Sequence, residues 1–87
     1  MLNIKEKLTS ALALPKEIAL NLAVVTIMGQ GEIAVENYKN LLEFSETKIR
    51  IRTHNQVISI EGERLVLQQI TTENLTIVGR ITTISYI

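Results

Sequence analysis

In Lys48-Ile49-Arg50-Ile51-Arg52, charged and isoleucine side chains alternate without a break, and after Thr53-His54-Asn55 a second alternation follows, with Ile58 and Ile60 separated by Ser59. A period of two sends successive side chains to opposite faces of an extended chain. Two such runs joined by a few polar residues read as an antiparallel hairpin, because parallel neighbours need a crossover of a dozen residues or more.

The same pattern extends in both directions. Toward the C-terminus, Leu65 and Leu67 alternate with Arg64 and Gln68, Leu75 and Ile77 flank Thr76, and Ile81 and Ile84 lead to Tyr86. Ile81 and Ile84 are three apart, which requires a bulge or bend near Thr82-Thr83 if both face inward. Toward the N-terminus, Ile33 pairs with Val35, and Leu42 with Phe44. Turn signals separate these runs: Gly29-Gln30-Gly31, Asn37 to Asn40, Ser45-Glu46-Thr47, Thr53-His54-Asn55, Glu61-Gly62-Glu63, Thr71 to Asn74, and Gly79. The expected fold is mainly β: an antiparallel β-meander of seven or eight strands, rolled into a small sandwich or barrel. Evenly spaced turns also fit a β-solenoid, although no repeat motif recurs.

Before about Val24 the period is different. Ile4, Leu8, Ala11 and Leu12 lie on one helical stripe, Asn3 and Glu6 have capping-box spacing, and Pro15 ends the helix or opens another turn. The chain therefore divides into a helical N-terminal segment, 1–22, and a β-rich core, 23–87, within a single domain 1–87. The apolar stretch before Leu14 is interrupted by Thr9 and Ser10 and is followed by Pro15-Lys16-Glu17, which does not fit a secretory signal peptide. No apolar run is long enough to span a bilayer.

Composition narrows the chemistry. The 87 residues carry nine basic and nine acidic side chains, with no Cys, no Trp and one His, and every acid is a glutamate. Disulfides, thiolate metal sites and cysteine nucleophiles are excluded, and one His cannot build a multi-histidine metal site. Without cysteine, a reducing cytoplasm is the expected compartment. Zero net charge argues against a dedicated nucleic-acid binder and removes the repulsion that would oppose self-association. A core this small gains from association, so a homo-oligomer or a partner-bound subunit is expected.

Each candidate for chemistry has a plainer structural reading. Glu61 and Glu63 flank Gly62 at an expected turn tip, where solvation leaves them ordinary carboxylates. His54 sits in an expected turn; Ser45, Ser59 and Ser85 are nucleophiles by type only, with no nucleophile elbow and no Asp to complete a triad. Gly29-Gln30-Gly31 lacks the third glycine and the following helix of a phosphate-binding loop, and reads as a hairpin turn. No catalytic, cofactor or metal residue is therefore assigned. Lys48, Arg50 and Arg52 are the distinctive group: a basic row on one strand face, suited to an anionic lipid surface or an acidic patch on a partner. The plainer reading is a solvated face whose charges pair with Glu43, Glu61 or Glu63. No aromatic residues interleave to stack bases, so nucleic acid is not expected.

The ordered series Leu14-Pro15-Lys16-Glu17-Ile18, Thr26-Ile27-Met28-Gly29, Ile33 through Glu36-Asn37-Tyr38-Lys39, Ile49-Arg50-Ile51, Ile60-Glu61-Gly62, Leu65, Ile70-Thr71-Thr72-Glu73 and Ile77-Val78-Gly79-Arg80-Ile81 resembles the YabP/YqfC family of sporulation proteins, and within it the YqfC branch. The resemblance covers nearly the whole chain, with Ala23 standing where the family pattern has proline. It implies a non-enzymatic protein of endospore-forming bacteria, made in the mother cell, with a structural or scaffold role in spore formation. It also implies a membrane-bound partner similar to YqfD, and a place in the cytoplasm at the membrane around the forespore. It brings no catalytic or cofactor residues. The alternative function is a peripheral membrane or anionic-ligand binding module using Lys48, Arg50 and Arg52.

Overall fold

The computed structural model describes residues 20–87, so the expected helix before Pro15 lies outside the described residues. Six strands form one antiparallel sheet: β1 (Val24–Met28), β2 (Glu32–Glu36), β3 (Asn40–Phe44), β4 (Lys48–Arg52), β5 (Val57–Ile70) and β6 (Asn74–Tyr86). Their order is β1-β2-β6-β5-β4-β3. β1 and β3 are the end strands and do not pair with each other, so the sheet is open and no barrel closes. All five ladders are antiparallel, which disposes of the solenoid. The meander holds for β3 through β6, but β2 pairs with β6 rather than β3.

Two expected turns are not turns. Glu61-Gly62-Glu63 lies inside β5, and Gly79 lies inside β6, so eight short runs become six strands, two of them long. Both glycines serve close backbone approach. A Cβ on Gly62 would run into the Arg80 carbonyl, and one on Gly79 would come within 2.7 Å of the Arg64 carbonyl oxygen. Gly79 also has φ +143°, a region that side chains rarely enter. Register shifts after Glu61 and after Glu63 place bulges here, and bulges bend strands. The expected irregularity near Thr82 is one of them, bridged by the Thr82 hydroxyl donating to the Glu61 carbonyl at 3.1 Å.

The bends divide the sheet into two halves. The first part of β5 (57–61) pairs with β4 and with the last part of β6 (83–86); the first part of β6 (74–78) pairs with β2 and with the last part of β5 (66–70). The halves match. The Gly62 N–H donates to Thr47 O, and the Gly79 N–H to Gly31 O; the Leu65 N–H donates to Glu46 O, and the Ile81 N–H to Gln30 O. Glu63 and Arg80, partners in register, lie on the axis relating the halves.

The halves also face each other. Asn37-Tyr38-Lys39 connects β2 to β3, which are four strand spacings apart in the sheet order. Those spacings amount to about 19 Å on a flat sheet, whereas the four peptide steps from Glu36 to Asn40 extend at most about 14 Å. The sheet must fold over. The link holds it there: the Tyr38 N–H donates to Glu73 O, the Lys39 N–H to Arg52 O, and the Tyr38 hydroxyl to Thr71 O at 2.6 Å. One core results, from Ile33 and Val35 of β2, Ile49 and Ile51 of β4, Ile58, Ile60 and Leu65 of β5, and Leu75, Ile77 and Ile81 of β6, with Tyr38.

Candidate functional site

The alternation in β4 buries Ile49 and Ile51 completely and turns Lys48, Arg50 and Arg52 to the outer face. Same-face neighbours on a strand are about 7 Å apart, so the row is about 14 Å long. β4 is flanked on both sides by β3 and β5, so the row can offer side chains but no free backbone. Its charge is partly answered from within the sheet. A register shift after Leu41 sets Glu43 opposite Arg50, and the two form an ion pair at 3.5 Å. Glu61 stands opposite Lys48. Glu63, the third expected partner, pairs instead with Arg80 at 3.2 Å. Arg52 is exposed and has Asn40 and Val57 beside it in register. Under the row lies Ser59, between Arg50 and Ser85 in the ladder; it is buried, and its hydroxyl has no partner among the described residues.

The other candidates do not converge. His54 is exposed in the β4–β5 loop, Ser45 lies in the β3–β4 loop, and Ser59 and Ser85 lie on neighbouring strands. The loop hydroxyls have structural work. Ser45, Thr53 and Thr71 each open a loop, accept from the N–H groups two and three residues on, and donate to the carbonyl three residues on. In Gly29-Gln30-Gly31, two carbonyls point at β6, so the loop docks a strand and does not cradle a phosphate. A cleft of mixed polar and apolar lining lies among Asn21, Leu22, Val24, Asn37 and Asn74. The Asn37 amide donates within it to Asn21 and to the Leu22 carbonyl, and so anchors the start of the sheet. Among the described residues, no cluster of three metal-ligating side chains occurs, and no helix is long and apolar enough to cross a membrane.

The feature that reading residues in isolation missed is the distribution of exposed apolar side chains. Among the described residues nine large ones are exposed, and eight of them lie on the four unpaired margins of the two half-sheets. Ile27 and Met28 are on β1, Leu42 and Phe44 on β3, Val66 and Ile70 on the last part of β5, and Tyr86 and Ile87 at the end of β6. Charge and bulges ordinarily protect such margins. β3 has both, in Glu43 and its register shift, and the last part of β5 has a shift after Leu67. Val24–Met28 and Thr83–Ile87 have neither. The signal was present in the sequence as two uncharged runs.

The chain matches the YabP family over residues 21–87, the whole of the sheet. It is 31% identical over 83 residues to the uncharacterized protein YqfC of Bacillus subtilis (strain 168), covering 95% of this chain and 89% of that one.

Proposed function

The chain belongs to the YabP/YqfC family, and from that premise we propose that it serves spore formation as a non-enzymatic contact protein. It assembles with further copies of itself or with a membrane-protein partner, in the mother-cell cytoplasm at the membrane around the forespore. The observation that carries this reading is the concentration of exposed apolar side chains on sheet margins, two of which lack charge and bulges. Open strand margins recognise other strands through main-chain hydrogen bonds, with alternate side chains giving specificity.

The test uses the full chain in a spore-forming host. Two differently tagged copies are expressed during sporulation, membranes are solubilised, and the co-purifying proteins are identified. The expected result is recovery of the second copy or of a membrane protein, together with a drop in heat-resistant spores when the gene is deleted. Normal spore counts without the gene would overturn the role.

A second reading has one observation in its favour. Arg52, exposed at the end of the basic row, faces no carboxylate in register, so Lys48, Arg50 and Arg52 retain excess positive charge for an anionic lipid surface. Sedimentation with phosphatidylserine vesicles tests it: reversing all three charges abolishes binding if the row is the contact, and leaves it unchanged if the row is a solvated face.

A further inference from the structure

We infer that the free margin of Thr83–Ile87 is a homodimer interface, in which this segment pairs antiparallel with the same segment of a second copy. The inference rests on the self-assembly proposed above and specifies its geometry.

Hydrogen-bond phase identifies the open groups. The Ile87 N–H donates to Val57 O, and Val57 and Ile87 continue the register that sets Ser59 opposite Ser85 and Glu61 opposite Thr83. In an antiparallel ladder, hydrogen-bonded and non-hydrogen-bonded pairs alternate. Thr83, Ser85 and Ile87 therefore direct their backbone groups at β5, and Ile84 and Tyr86 direct theirs outward, where no described strand receives them. Tyr86 and Ile87 are also the most exposed large apolar residues described, at 70% and 66%.

A second copy fits this margin because the segment is complementary to itself. Ile81 through Ile87 carries no charged side chain, so antiparallel self-pairing sets no like-charged side chains against each other. With the dyad at Ser85, Ile84 of each copy meets Tyr86 of the other in a hydrogen-bonded pair. Each such pair exchanges two N–H···O bonds, so all four outward groups on each copy are used. Ile84 and Tyr86 stand opposite Ile60 and Ile58, on the core-facing side. Pairing thus joins the two cores through aromatic–β-branched contacts, a favourable cross-strand combination. Ser85 meets its own copy on the opposite face as a non-hydrogen-bonded pair, with Cα atoms about 4.5 Å apart, within the range a disulfide spans.

That last geometry supplies the test. The chain has no cysteine, so Ser85→Cys introduces a single thiol. Thr26→Cys is the matched control, because Thr26 would sit on the dyad if β1 paired with itself instead. Under mild oxidation of the full-length variants, Ser85→Cys is expected to form covalent dimer at least about tenfold faster than Thr26→Cys, since pairing raises the effective thiol concentration. In sedimentation velocity over a concentration series, the unmodified chain is expected to dimerise. Tyr86→Pro removes an outward N–H without touching the β5 ladder, and should be monomeric with an unchanged far-ultraviolet circular dichroism spectrum. A chain that stays monomeric at every concentration, or faster cross-linking through Thr26→Cys, overturns the inference. If the margin takes a partner's strand, the isolated chain is monomeric and the inference falls, while recovery of a membrane protein from sporulating cells keeps the proposed function standing.

Discussion

Single atoms decide where this sheet bends. Gly62 and Gly79 are the positions at which the two long strands press backbone against backbone, and a methyl group at either has a carbonyl in its way. Gly62→Ala and Gly79→Ala are each expected to cost about 2–4 kcal/mol, read as a fall in urea midpoint at constant slope. At Gly62 the closer clash with the Arg80 carbonyl sets the cost, whereas at Gly79 a φ of +143° adds backbone strain to a looser contact. Tyr38 acts at the same scale but through its tip. Its hydroxyl donates to the Thr71 carbonyl across the folded sheet, and Tyr38→Phe should lower stability by about 1 kcal/mol, measured the same way.

At the scale of elements, the three loops closed by Ser45, Thr53 and Thr71 use one device, a hydroxyl that receives the loop's N–H groups and returns a bond to its last carbonyl. Thr53→Val should cost about 1 kcal/mol, while His54→Gln in the same loop should stay within about 0.5 kcal/mol; thermal melts of the pair check both. Arg50→Ala, which breaks the half-exposed pair with Glu43, should cost about 0.2–1 kcal/mol and less in high salt. These elements also mark how far the sequence could be read. β4 was legible because charge and isoleucine alternate there without interruption, and the loops were legible because hydroxyl and amide residues cluster. The long strands were not, because glycine has the same appearance whether it serves a tight turn or a close approach, and Gly62 and Gly79 serve the second. The basic row was found, with Glu43 among its expected partners, but the bulge at Leu42 that sets Glu43 opposite Arg50 leaves no local signature.

For the whole molecule, the governing fact is that an open sheet folded over on itself has four margins rather than two. Which margins are smooth depends on pairing between distant strands, so the apolar residues of 83–87 could be seen in the sequence while their exposure could not. The strand order also dictates how the chain reaches this state. Four ladders join neighbours in sequence and can zip from their own loops, whereas β2 and β6 join residues 38 to 46 positions apart. Loop closure of that length slows pairing, so β3 through β6 should form the folding nucleus, with the β1–β2 hairpin docking afterwards. Stopped-flow chevrons of Ile33→Val and Ile60→Val, each costing about 0.5–1.5 kcal/mol, check this: the change in β5 should slow refolding, and the change in β2 should mainly speed unfolding. Until that hairpin arrives, the first part of β6 has an uncovered flank, and a newly made chain spends that interval able to accept a neighbour's β2 in place of its own.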